Sequence, residues 1–253
     1  MERKKISVVV SVYNEELSLN QFYKTTVSVL DKCVWDYELI FVNDGSQDGS
    51  IELLKGFAKE NAKVKVVDFS RNFGHEAAMI AGIDHAQGDG VVCMDADLQH
   101  PPACIPDIIA KFEDGYEVIS MIRTKNADAG IIKRITSGAF YKVLNLMSPV
   151  KFENNSSDFF AISKNVAGVL RKDYREKIRY LRGYVQSVGF RKTTLEFEQW
   201  MKEQSGFKMF KTPVRRSIVV EKASMAMKPL PAFSKNSVAV KDYRAIVEEL
   251  LGE

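Results

Sequence analysis

Short apolar runs alternate with amphipathic stretches through the first half of the chain. Residues 6–12 (ISVVVSV) are almost continuously apolar, the pattern of a strand buried on both faces of a parallel sheet. The runs 37–42, 64–69, 90–94 and 116–121 repeat that pattern, and between them helical periodicity predicts helices over 17–31, 50–60, 75–87 and 103–113. Strand–helix–strand units in series predict an α/β fold: a single Rossmann-like, mostly parallel sheet flanked by helices, with right-handed crossovers. Beyond residue 125 the rhythm changes. A long amphipathic helix is predicted over 131–147, a strand over 158–163, a helix over 165–174, a strand over 192–197 and a last helix over 241–251. The expected organisation is one domain over 1–205 and a tail, 206–253, packed on it.

In an open α/β sheet, ligands bind beyond the carboxyl ends of the strands. Each predicted strand ends there in polar residues: Tyr13-Asn14-Glu15-Glu16, Asn43-Asp44-Gly45-Ser46, Ser70-Arg71-Asn72 and Asp95-Ala96-Asp97. Turn and helix-capping roles account for part of this, with Ser46 and Asp48 expected to cap the helix from residue 50. Capping does not account for carboxylates reaching the same sheet edge from three strands.

Composition narrows the class. Of 253 residues, 45% are hydrophobic and 27% charged, as in an ordinary globular protein. A net charge of +3, from 36 basic and 33 acidic groups, sets up no field that marks a nucleic-acid binder. Cys33, Cys93 and Cys104 lack metal-ligand or redox spacing, which points to a reducing compartment. The N-terminal apolar run is too short for a signal peptide's core, and no run reaches the ~18 residues that cross a bilayer. The expected location is the cytoplasm, with contact at the inner face of the membrane left open.

The sharpest motif is Asp95-Ala96-Asp97-Leu98-Gln99-His100-Pro101-Pro102. Two carboxylates one residue apart, just past a buried strand, can share a hard divalent cation with the phosphates of a substrate. Prolines at the following helix start make the turn rigid. Together YNEE after the first strand, FVNDGSQDGS after the second and MDADLQHPP after the fourth resemble glycosyltransferase family 2, which has the GT-A fold. Within the family the likeness is greatest to the dolichyl- and polyprenyl-phosphate sugar transferases, and it runs over roughly 6–200.

The resemblance implies a division of labour. Residues up to about 125 would bind the nucleotide-sugar donor, and 126–205 would face the acceptor. Tyr13, Asn14 and Glu15 match the loop beside the nucleoside. Asp44 matches the aspartate that contacts the base, so that its removal should weaken nucleotide binding and spare the fold. Asp95, Ala96, Asp97 and Gln99 match the segment that holds Mg²⁺ or Mn²⁺ and the diphosphate, with Asp95, Asp97 and Gln99 as the metal positions. Arg123 and Arg134 match phosphate-facing basic positions, and Arg182 is either structural or phosphate-facing. Asp158 matches the aspartate of the family's GDF segment near the acceptor and is the candidate catalytic group. The segment 202–208 (KEQSGFK) stands where the polyprenyl-phosphate enzymes carry R-x-x-G-E-S-K, keeping only the end charges Lys202 and Lys208.

The family is inverting, which implies in-line attack on a UDP- or GDP-sugar. A hydroxyl acceptor would need a base such as Asp158, whereas a lipid phosphate arrives ionised and needs positive charge. Both acceptors stay open, as do transfer to another cell-envelope precursor, peripheral membrane contact, homo-oligomerisation and a non-catalytic nucleotide-sugar-binding module. Haloacid-dehalogenase phosphatases carry their Asp-x-Asp after the first strand, nucleotidyltransferases an N-terminal glycine-rich loop, and dinucleotide oxidoreductases Gly-x-Gly-x-x-Gly. None of these patterns is present. His75 and His85 read as helix-surface residues, and His100 as a helix-start or phosphate-proximal residue. The stripe Phe140, Tyr141, Leu144 and Met147 reads as a core face or a resting place for a lipid tail.

Overall fold

The computed structural model describes residues 3–123, 156–174, 181–197 and 237–251. The predicted helix over 131–147 with its aromatic stripe, and Arg134, Lys202 and Lys208, lie outside these residues. The chain divides into two compact units, Met1–Ser205 and Gly206–Glu253. In the second, the helix spans Val238–Leu251, beginning three residues before the prediction.

Among its described residues the first unit has seven strands: β1 Lys5–Val12, β2 Asp36–Asn43, β3 Val64–Asp68, β4 Gly90–Asp95, β5 Val118–Arg123, β6 Ser156–Ser163 and β7 Lys192–Phe197. Their helices are α1 Glu16–Leu30, α2 Ser50–Glu60, α3 His75–His85, α4 Ile105–Glu113, α5 Lys164–Asp173 and α6 Leu181–Ser187. A short 3₁₀ turn, Pro102–Cys104, precedes α4, and Pro102 and Pro106 each stand in a first turn, where the missing amide has no helical partner to lose.

The sheet order is β3-β2-β1-β4-β6-β5-β7. Strands β1 to β4 pair in parallel, as the continuous apolar runs predict. The fourth strand–helix–strand unit does not close as expected: β6 inserts between β4 and β5 and runs antiparallel to both. Strand β5 begins two residues later than predicted, leaving Tyr116 and Glu117 outside it. The sheet is therefore mixed but mostly parallel.

Alternation along each strand sends successive side chains to opposite faces. Val8, Val10, Val12, Leu39, Phe41, Val92 and Met94 pack with Leu19, Phe22, Leu54, Phe57 and Ile108 of α1, α2 and α4. Val9, Ile40, Val42, Val91 and Cys93 pack on the other face with Met79, Ile83, Val166, Leu170 and Val185 of α3, α5 and α6. Helix α3 lies so close to β1 that a Cβ on Gly82 would meet Val9 Cγ1 at 2.1 Å. That close approach fixes the start of α3 over the carboxyl end of β1.

Register finishes the positioning. Ser11 stands opposite Asp95, Val12 opposite Asn43, and Asn43 opposite Asp68. Strand β6 pairs Phe160 with Cys93, and carrying that register two residues on sets Asp158 level with Asp95. Two adjacent rows at the sheet edge thus hold polar residues of five strands.

Candidate active site

The loops after β1 and β2 are laced together by side chain to main chain hydrogen bonds. Asn14, in the left-handed region at φ 57°, accepts from Gln47 N at 2.8 Å through Oδ1, while its own N–H donates to Ser46 Oγ. Asparagine takes that backbone conformation at less cost than other non-glycine residues. Glu15 N–H donates to Ser50 Oγ, Glu16 N–H to Asp48 Oδ2, and Gly49 N–H to Glu16 Oε2. Asp48 also accepts from Ser50 N, a local turn contact ahead of Gly49, which is the N-cap of α2 and carries no side-chain cap. Ser46, expected as a second cap there, is spent on Asn14 instead.

Asp44 is 2% exposed, and its two oxygens accept main-chain N–H groups from Phe73 at 2.6 Å and Gly74 at 2.9 Å. It therefore organises the loop between β3 and α3. These two contacts argue against the expectation that Asp44 can be removed without cost to the fold. Next to it, Gly45 has φ +66°, and a Cβ there would lie 2.3 Å from Arg71 C, so the two loops touch backbone to backbone.

After β4, Asp97 Oδ1 accepts from Gln99 N at 3.0 Å, closing a tight turn in which Leu98 adopts φ 63°. A leucine in that region costs roughly 1–2 kcal/mol. Its side chain, 3% exposed in the α1-side core, holds it there.

These loops bound a cleft of about 280 Å³ lined by Ser11, Tyr13, Glu15, Asp44, Gly74, His75 and Asp95 to Asp97. Burial, followed by the charges of Asp97, Asp158 and Glu15, pushes the Asp95 carboxyl up to about 6 against the pull of His75. Glu15 is raised too, by burial and by Asp97 and Asp48, and Ser18 opposes the shift with a hydrogen bond. The acids are thus crowded at one point on the sheet edge.

Of the residues singled out from sequence, Tyr13, Glu15, Asp44, Asp95, Ala96 and Asp97 share this cleft. Asn14 shapes it from behind, and Gln99 lies in the turn under Asp97. Asp158, on β6, is held at Oδ1 by Arg182 of α6 through Nε at 3.1 Å and Nη2 at 2.5 Å. Glu76 sits beside that pair, raised by burial and by the charge of Asp158, while the Leu181 N–H, His75 and Arg182 pull the other way. Arg123, exposed at the end of β5, is near enough to disfavour protonation of His100.

Two histidines have partners that their sequence readings did not include. His75 opens α3 and places Nδ1 3.2 Å from Ser11 Oγ and 3.5 Å from Asp95 Oδ1, inside the cleft. No local pattern marks it, because Ser11 and Asp95 reach it only across the sheet. His100 is 3% exposed, and burial, then Arg123, pull its pKa down to about 4. Its Nδ1 lies 3.6 Å from Asp95 Oδ2, but that nitrogen accepts the Asp95 N–H at 3.0 Å. The ring is neutral there, and the close approach is not an ion pair. His85 is an exposed helix residue, as expected.

A parallel sheet with an acid cluster past its fourth strand and an antiparallel strand wedged beside it is the architecture of GT-A glycosyltransferases. A Pyrobaculum calidifontis mannosyltransferase in complex with GDP-Man and Mn²⁺ superposes with a TM-score of 0.55 at 17% identity, over 81% of this chain and 59% of that one. Staphylococcus aureus TarS superposes at 0.53 and 16% identity, over 76% and 58%. The chain belongs to glycosyl transferase family 2, whose family model matches residues 7–171. Bacillus subtilis YkcC, named an uncharacterized glycosyltransferase, is 36% identical over 95% of this chain and 72% of its own length. The bactoprenol glucosyl transferase of Shigella phage SfV is 36% identical over 76% of this chain, which spans 62% of it.

Proposed function

We propose that the chain transfers a sugar from a nucleoside-diphosphate sugar to a polyprenyl phosphate, with inversion at the anomeric carbon and with bound Mg²⁺ or Mn²⁺. One observation carries the reading: Glu15, Asp44, Asp95, Asp97 and His75 bound a single cleft at the sheet edge, with Asp158 one strand away. The 36% identity to a bactoprenol glucosyl transferase supports the choice of acceptor.

The residues fit a divalent cation that arrives with its substrate. Burial and neighbouring acids make the Asp95 charge costly, which is the imbalance a cation relieves. Among the described residues no three His, Cys, Asp or Glu side chains converge closely enough to hold a metal by themselves. A hard cation commonly takes one or two carboxylates and completes its shell with substrate phosphates and water. Asp95 and Asp97, with Gln99, would hold it, and when bound it would offset the charge growing on the leaving diphosphate.

The remaining work falls to protein groups. Tyr13 gives the nucleoside an aromatic wall, and Asp44 keeps the 71–74 loop closed over the base end of the cleft. Arg182 fixes Asp158 at the acceptor side. A phosphate acceptor is already largely ionised near pH 7 and calls for cations rather than a base, and Arg123 is a candidate for that role. Among the described residues no helix is long and apolar enough to cross a membrane.

The test is sugar transfer to a polyprenyl phosphate in detergent, from UDP- and GDP-sugars, with Mn²⁺ or with EDTA. Turnover with one donor, abolished by EDTA and reduced roughly 10²-fold in Asp97→Ala, is expected. Equal turnover in EDTA would remove the metal from the reading. Transfer only to saccharide hydroxyls would replace the acceptor.

A further inference from the structure

His100 lies behind the cleft and outside its lining, yet both of its ring nitrogens are committed. Nδ1 accepts the Asp95 main-chain N–H at 3.0 Å, so the ring proton sits on Nε2, which donates to Ser157 Oγ at 3.1 Å. The ring stacks on Phe159 with centroids 5.0 Å apart and meets Phe197 edge-on at 5.9 Å. Ser157 Oγ also accepts from Phe159 N, which fixes the hydroxyl. Paired residues of β4 and β6 end at Cys93 and Phe160. Past that point, where Asp95 and Asp158 stand, His100 carries the connection between the two strands.

We infer that His100 is a positioning residue, a strut that sets the distance between the cation-binding Asp95 and the acceptor-side Asp158. The inference rests on the sugar-transfer reading for its catalytic meaning, and on the geometry alone for the strut itself. Reacting atoms must meet within a few tenths of an ångström of their productive positions, and a displacement near 1 Å can cost about 10²-fold. A strut between the donor and acceptor strands therefore acts on turnover and not on donor affinity. Its neutral, fully partnered ring suits the role, since a buried polar group with both ends satisfied has one preferred orientation.

Three variants separate the two ends. In His100→Asn the amide oxygen replaces Nδ1 as acceptor but does not reach Ser157. In His100→Gln the amide nitrogen reaches Ser157 and the acceptor for Asp95 is given up. Ser157→Ala removes only the far partner. We expect Ser157→Ala to keep Mn²⁺-dependent nucleoside diphosphate affinity within about twofold, by calorimetry, and to lower kcat roughly tenfold. His100→Asn combined with Ser157→Ala should lose no more than His100→Asn alone, because both cut the same link. Additive losses, or a wild-type kcat in Ser157→Ala, would overturn the role. A second readout is free of turnover: in ¹⁵N NMR the His100 ring should be the Nε2–H tautomer, and Ser157→Ala should shift the Asp95 amide. An Nδ1–H tautomer, or an unmoved Asp95 amide, removes the strut. If the wild type transfers no sugar at all, the sugar-transfer reading fails, and the NMR result still decides the link.

Discussion

Asp44 shows how far a single side chain was readable. Its place after β2 marked it as a candidate for the nucleotide side, but its partners, the N–H groups of Phe73 and Gly74, are distant in sequence. Removing it leaves two amides without acceptors, at about 1–3 kcal/mol each if they stay dry. Asp44→Ala should therefore lower the melting temperature by several degrees as well as weaken nucleotide binding, and Asp44→Asn should fall between. A melting temperature unchanged in Asp44→Ala would show that the loop does not depend on it. His75 was unreadable for the same reason, since the polar groups around it come from β1 and β4. Asp158 was found by its motif, and Arg182 by its resemblance, but not their pairing. With a phosphate acceptor, Asp158→Asn should cost less than tenfold in kcat. With a hydroxyl acceptor it should cost about 10²-fold or more, because the amide cannot take a proton. Turnover with each acceptor at saturating donor distinguishes them.

Strands β1 to β4 were legible almost to the residue, because β1, β2 and β4, buried on both faces, are continuous apolar runs with polar ends, and the edge strand β3 is a short β-branched run. The wedge of β6 between β4 and β5 was not. Pairing partners follow from packing across the sheet, and β6 has the same alternation wherever it is placed. The loops were read as one ligand-facing edge, but the hydrogen bonds that lace them to one another were not legible. Gly45 tests this. Its positive φ and the 2.3 Å approach of a Cβ to Arg71 leave no room for alanine without parting the β2–α2 loop from the β3–α3 loop. Gly45→Ala should lower the melting temperature on the order of 5 °C and weaken nucleotide binding in step. Loss of stability with full affinity would mean that the two loops work independently.

At the far end of the sheet from the cleft, a buried carboxylate ties three strands and a turn. Glu38 on β2, with a side chain 4% exposed, accepts from Ser7 on β1, Lys65 on β3 and Gln87 N, each at 2.6 Å. Burial alone would raise its pKa, but these three hydrogen bonds together hold it below the ordinary glutamate value of 4.5. The unfolded chain therefore binds its proton first as the solution is acidified. The stabilisation is complete above about pH 4.5 and is lost as pH falls through the lower folded value. Glu38→Gln should lower the melting temperature at pH 7 and flatten its decline between roughly pH 5 and 3. An equally steep acid limb in the variant would assign that decline to other groups.

The wedged strand also orders events in time. Strands β1 to β4 and their helices can assemble as their segments appear, since each pairs with a strand already made or the next to come. Strand β5 cannot dock against β4. It must wait for β6, so that Val118 finds Ile162 only after the whole of residues 124–155 has been made. Such long-range pairings are slow to form and leave an apolar edge uncovered meanwhile. The half built on β1 to β4 should thus gain protection from hydrogen exchange early in refolding, with β5 and β7 following together once β6 is in place. On the sugar-transfer reading proposed above, the half expected to face the acceptor would be the last part of the enzyme to exist, and a nascent chain could hold a nucleotide before it had anywhere to deliver the sugar.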